Sequence, residues 1–152
     1  MKYELLVEDT ITFFGVKLFR IKALISFSGI KKGAVGGYIA SEKNLSQSGN
    51  AWVSGNAWVY GNAWVSGDAE VYGNARVSGN ADYIVFKNTW SSGRYFTYTK
   101  SNKKWRVGCF YGDGSALVEK AYKDSEESGD FYKAYVEFVE KLEVIESKYK
   151  EQ

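Results

Sequence analysis

From Gly49 onward the apolar positions of the chain fall into a six-residue beat. The hexads GNAWVS, GNAWVY, GNAWVS, GDAEVY and GNARVS open at Gly49, Gly55, Gly61, Gly67 and Gly73, and a sixth opens at Gly79 and decays into NADYI. Ala recurs at Ala51, Ala57, Ala63, Ala69, Ala75 and Ala81, and Val at Val53, Val59, Val65, Val71 and Val77. A period of six is a multiple of the strand repeat of two and not of the helical 3.6, so the segment predicts strands. Ala and Val stand two apart and share a face, while the residue between them points away. Gly followed by Asn or Asp marks a corner, because Gly accepts positive φ without cost and Asn and Asp tolerate the left-handed region. Each hexad therefore predicts a short strand plus a bend, and a linear repeat of this kind stacks into a parallel β-helix. Small Ala at one inward position fits a narrow interior.

The register reads backwards as well. Ile39 and Leu45 fall in the Ala phase, Val35 in the Val phase, and Asn44 aligns with Asn50. The repeat segment is expected over residues 31–85. Residues 1–30 read as a β cap: Leu18, Arg20 and Lys22 alternate with Phe19, Ile21 and Ala23, with Gly15 as a turn. Such a cap covers the strand edges that an open repeat end exposes. Residues 86–152 read as a separate ββαα module. Arg94–Thr99 and Lys104–Tyr111 predict an aromatic hairpin across Ser101-Asn102-Lys103. Ser115 is the expected N-cap of a helix to about Lys123, and a second helix is expected from Gly129 to Tyr149. In the latter, Phe131, Tyr135, Phe138, Leu142, Ile145 and Tyr149 step alternately by four and three, which is a heptad seam.

The pattern V-x-G-N-A-x resembles the left-handed β-helix proteins, whose coils hold three hexads. The lead-in, Leu18 to Leu24, Lys31 to Ile39 and Asn44 to Asn50, resembles the opening of small repeat proteins carried by tailed phages and prophages. The likeness covers about residues 1–83. It implies a mainly β fold: a left-handed parallel β-helix of hexapeptide repeats with an N-terminal β cap and a C-terminal β-hairpin plus two-helix module. With the heptad seam, it implies a homotrimer.

Composition then narrows the chemistry. Hexapeptide acyltransferases use a histidine general base, and the carbonic anhydrases of this fold bind zinc through histidines. The chain contains no His. A single Cys109 leaves no Cys–His pair, no internal disulfide and no expected zinc site. No paired carboxylates stand out, so the chain is expected to be non-enzymatic and to use no cofactor. A net charge of +2 and a pI near 8.5 do not point to nucleic acid. No signal peptide or membrane-spanning run is evident.

The aromatic load of 17% is the most informative departure. Trp52, Trp58 and Trp64 hold the outward position of three successive hexads, and one coil later those places hold Glu70, Arg76 and Asp82. Outward Trp marks a contact surface. The plainer reading is that caps or neighbouring subunits cover them. The expected ligand- or partner-binding set is Trp52, Trp58, Trp64, Trp105, Arg76, Tyr60 and Tyr72. Gly112-Asp113-Gly114-Ser115 reads as a strand-to-helix turn rather than an anion site. Lys100, Lys103, Lys104 and Arg106 read as a solvated edge. The likeness implies a phage or prophage accessory protein of the host cytoplasm, an anti-defence inhibitor that binds a host protein or a small nucleotide signal. A structural scaffold is the alternative.

Overall fold

The computed structural model describes residues 1–150. The chain divides into a first unit, Met1–Cys109, and a second that begins at Phe110. Among the described residues no helix is long and apolar enough to cross a membrane.

The first unit holds ten strands: β1 (Tyr3–Phe13), β2 (Val16–Ala23), β3 (Val35–Ile39), β4 (Trp52–Val53), β5 (Trp58–Val59), β6 (Glu70–Val71), β7 (Arg76–Val77), β8 (Tyr83–Lys87), β9 (Tyr95–Thr99) and β10 (Lys104–Val107). A five-stranded mixed sheet runs β1-β2-β3-β5-β7, and β4 and β6 form a parallel pair. β9 lies between β8 and β10 in an antiparallel sheet.

This corrects the expected class of a left-handed parallel β-helix with appended cap and hairpin. The chain instead forms a mixed sheet, one parallel pair and an antiparallel sheet, followed by two helices. The physical reason is strand length. Each repeat strand is only two residues long, because a glycine corner interrupts the chain every six residues. The longer strands lie outside the regular hexads and pair with one another antiparallel: β1 with β2, β2 with β3, and β8 and β10 with β9; β3 also joins the repeat strand β5 in parallel.

Within the repeats, pairing partners stand eighteen residues apart: Trp52 with Glu70, Val53 with Val71, Trp58 with Arg76, and Val59 with Val77. The amides of Trp52, Ser54, Trp58 and Tyr60 donate to the carbonyls of Ala69, Val71, Ala75 and Val77 at 2.8–3.0 Å. Ala51, Ala57, Ala63, Ala69 and Ala75 are buried with Val53, Val59, Val65, Val71 and Val77, and Tyr3, Ile21, Ala23, Ile39, Leu45 and Trp52 complete the cluster. Gly55, at φ +65°, shows why a corner needs glycine. A Cβ there would lie 3.0 Å from the Gly73 carbonyl oxygen.

The lead-in departs from the expected phase. Ile39 pairs with Val59, and Leu45 bridges to Val65, twenty residues on rather than eighteen. Both therefore take Val places, while Val35 is 54% exposed. The two extra residues fall between Leu45 and Asn50, at a wider corner containing Gln47. Its Oε1 accepts the amides of Lys2 and Tyr3, and its Nε2 donates to the Tyr3 carbonyl. The insertion thus anchors the start of β1. In β2 the buried residues are Leu18, Ile21 and Ala23, so strict alternation fails. The β2–β3 ladder is irregular between Arg20 and Lys22, which switches the inward parity.

The second unit contains β11 (Phe110–Gly112), α1 (Gly114–Asp124) and α2 (Glu126–Lys150). The N-cap of α1 is Asp113, not Ser115: its Oδ1 accepts the Ala116 amide at 2.8 Å. Leu117 and Ala121 of α1 are buried, as are Tyr132, Val136 and Val139 of α2.

Lys2 gives this core an unusual end. Its ammonium is buried, donates to the Ala51 carbonyl at 2.7 Å, and lies 5.1 Å from the Phe27 ring centroid. Burial lowers its pKa from 10.5 to about 8. The native state therefore releases this proton earlier than the unfolded chain. Stability contributed through Lys2 rises as pH goes from about 8 toward 10.5. The Tyr3 phenol, pushed up by burial, opposes that rise only above its ordinary value of 10.0. Melting temperature should increase between pH 7.5 and 9.5, and the increase should vanish in Lys2→Met. An equal slope in both proteins would rule out Lys2 as its source.

Burial of the Val column gives a second test. Val65→Asp places a charge in a fully buried apolar site and should cost several kcal/mol, enough to unfold a marginal domain. Asn62→Asp, at an exposed position, should leave the melting temperature within a few degrees of the parent. Chemical or thermal denaturation of the two variants checks this.

Candidate functional site

A cleft of about 530 Å³ opens in the first unit where β6 meets β9 and β10, lined by Asn50, Asp68, Glu70, Arg94, Tyr95, Arg106, Gly108 and Cys109, with Ser28–Ile30 at its margin. Its charged floor comes from the repeat. Glu70 occupies the outward place of its hexad on β6, one step from the buried Val71. The Glu70 amide donates to Thr97 Oγ1 at 3.0 Å, which ties β6 to β9. Asn50 donates to Asp68 Oδ1 at 3.2 Å, joining two corners eighteen residues apart.

Arg106 on β10 faces Glu70, with Nε 3.8 Å from Glu70 Oε2. Its guanidinium lies 4.2 Å from the centroid of the Tyr72 ring. The Nε is buried and has no hydrogen-bond partner among the described residues. That separation is an ion pair but too long for a hydrogen bond. Burial raises the Glu70 carboxyl pKa, with Arg106 and then Arg94 pulling it back down. Arg94 reaches the cleft past Gly108, which sits at φ +55°. A Cβ there would fall 2.2 Å from Arg94 Nη1. The cleft thus combines two guanidiniums, a desolvated carboxylate and the half-exposed Tyr95 ring. Concavity plus perturbed, incompletely satisfied charge is the usual mark of a small-molecule site.

The residues expected from sequence are dispersed. Trp52 is 3% exposed, sealed by Tyr3 and Phe27 with ring centroids at 6.4 and 5.4 Å. Trp58 is half-buried between Phe13 at 4.9 Å and the Arg76 guanidinium at 3.5 Å. Tyr60 lies against Phe13 at 6.4 Å. Trp64 is 44% exposed; its amide donates to Asn80 Oδ1 and its carbonyl accepts from the Tyr83 hydroxyl, both at 2.7 Å. Trp105 is buried in the antiparallel sheet beside Tyr98 at 4.8 Å and Phe86 at 6.0 Å. Of the set, Tyr72 meets the cleft through its ring against Arg106, and Trp52 adjoins it through its backbone pairing with Glu70.

Sequence reading missed Glu70, Arg94 and Arg106 as a group, and assigned Arg106 to a solvated edge. The available signal was Glu70 itself, a carboxylate at a position that holds Trp in three earlier hexads. Among the described residues no group of three His, Cys, Asp or Glu side chains could hold a metal ion. No family model and no curated protein matches the chain.

The raised pKa of Glu70 fixes the sign of a stability test. The native state holds this proton more tightly than the unfolded chain. Its contribution therefore declines as pH rises through the carboxylate range and stays low at pH 7. Glu70→Gln should match or exceed the parent in melting temperature at pH 7, with the parent gaining on the variant as pH falls to 4.5. A variant weaker at pH 7 that recovers on acidification would mean that the Arg106 pairing outweighs desolvation.

Proposed function

We propose that this chain is a non-enzymatic binding protein that sequesters a small anionic ligand carrying a flat ring, of the nucleotide class, in the cleft floored by Glu70 and Arg106. The observation that supports this most is the buried Arg106 Nε without a hydrogen-bond partner, on a guanidinium that lies over the Tyr72 ring at 4.2 Å from its centroid. A planar, weakly hydrated fork of this kind matches phosphate oxygens, and Arg94 supplies a second. Tyr95 offers a face for a base. The non-enzymatic reading rests on a chain without histidine and on a cleft whose opposite charges neutralise each other rather than activate a nucleophile.

The likeness of the repeat to phage and prophage proteins supports a setting for such a module, the cytoplasm of an infected bacterium. There, holding a nucleotide signal or blocking a host defence protein would suit an accessory protein. A rigid structural scaffold is the second reading. It is favoured by the covering of Trp52 and Trp58 by the chain's own aromatic residues.

Mass spectrometry of denatured, freshly purified protein should release a bound nucleotide. Titration calorimetry with mononucleotides and cyclic dinucleotides should find a ligand that Arg106→Ala weakens at least tenfold, with Arg106→Lys restoring only part of the loss. No released nucleotide, together with no member of the panel that binds in an Arg106-dependent way, would replace this reading with the scaffold.

A further inference from the structure

The second unit carries a separate feature, on α2. Its buried residues, Gly129, Tyr132, Val136 and Val139, form one stripe that ends at Val139. From Glu140 to Lys150, about 16 Å of helix, no described residue is buried. A helix extension of this length draws little stability from propensity alone. Yet the seam beside that stripe is apolar throughout. Phe131, Phe138, Ile145 and Tyr149 are 40, 50, 52 and 62% exposed, with Tyr135 and Leu142 between them half-buried.

With Phe131, Phe138 and Ile145 as d positions, Tyr135, Leu142 and Tyr149 become a positions. Lys141 and Lys148 then fall at g, and Glu146 at e. In a parallel coiled coil a g residue faces the e residue five positions on in its neighbour, which sets Lys141 against Glu146 of another copy. In an antiparallel pair g faces g, and lysine would meet lysine. Leu at a with β-branched Ile at d disfavours two strands and favours three or four.

We infer that α2 is a self-association surface: further copies of this chain pack in parallel along the seam from Phe131 to Tyr149, as a trimer, with Lys141 of each copy paired to Glu146 of the next. The inference rests on α2 alone and is independent of the cleft.

Sedimentation equilibrium of the full chain at tens of micromolar should give three times 17.1 kDa. Ile145→Glu should give a monomer with its helical circular dichroism largely kept, while Val144→Glu, 71% exposed and outside the seam, should remain trimeric. Lys141→Glu should raise the dissociation constant at least tenfold, and adding Glu146→Lys should reverse it. A monomeric parent would overturn the inference. So would an assembly indifferent to Ile145→Glu, one broken equally by Val144→Glu, or a double charge variant that stays dissociated.

Discussion

The close approach of one glycine corner to the corner eighteen residues further on is the constraint from which the first unit is built. The Asn50 amide reaches the Gly67 carbonyl, and the Asn56 amide the Gly73 carbonyl, both at 2.9 Å. Such contact would leave a Cβ at Gly49 or Gly55 only 3.0 Å from the facing carbonyl oxygen, and it fixes the offset between paired hexads. Once the offset is fixed, the inward positions must superpose: Val53 over Val71 and Val59 over Val77. The buried column is then a consequence of the corners, and each Val works only because its partner stands directly beside it. A one-residue slip would turn every Val outward.

The same constraint accounts for what could be read in advance. Inward Ala and Val and the corner glycines follow from the period itself; the eighteen-residue juxtaposition of Trp52 with Glu70 is an implication of the resemblance to three-hexad repeats, not of the six-residue period. The overall class did not follow, because the period says nothing about how few residues each hexad gives to a strand. Nor does it say that the longest strands, β1 and β2, pair antiparallel outside the repeats. The two-residue insertion near Gln47 was hidden for a related reason. Ile39 and Leu45 are apolar in either phase, so only the ladder to Val59 and Val65 distinguishes them.

Legibility of the cleft was lower still. Glu70 is visible as a break in the repeat, but its partner Arg106 lies far along the chain in a run of basic residues that looks like an ordinary wet edge. What joins them is the hydrogen bond from the Glu70 amide to Thr97, a contact with no periodic signature. Gly108 is similarly mute in sequence; its role follows only from the position of the Arg94 guanidinium. Sites assembled by non-local contacts leave such fragments in a sequence rather than a motif.

The change from Trp to charge along the outward positions records what covers each place. Trp52 and Trp58 lie beneath Tyr3, Phe27 and Phe13 of the N-terminal segment, and large apolar area is stabilising there because water is excluded. Eighteen residues on, Glu70 and Arg76 instead meet the β9–β10 side of the unit: the Glu70 amide bonds Thr97 and the Arg76 amide bonds Ser101. At the third place the ladder stops. Asp82 turns its carboxylate back onto the Ser78 and Gly79 amides at 2.8 and 2.9 Å. Trp64, left without a strand partner, keeps 44% of its surface exposed. The aromatic-to-charged switch is therefore one device with two outcomes. It glues the repeat to its N-terminal cover at Trp52 and Trp58, and eighteen residues on, at Glu70 and Arg76, it leaves an ionic face beside the cleft.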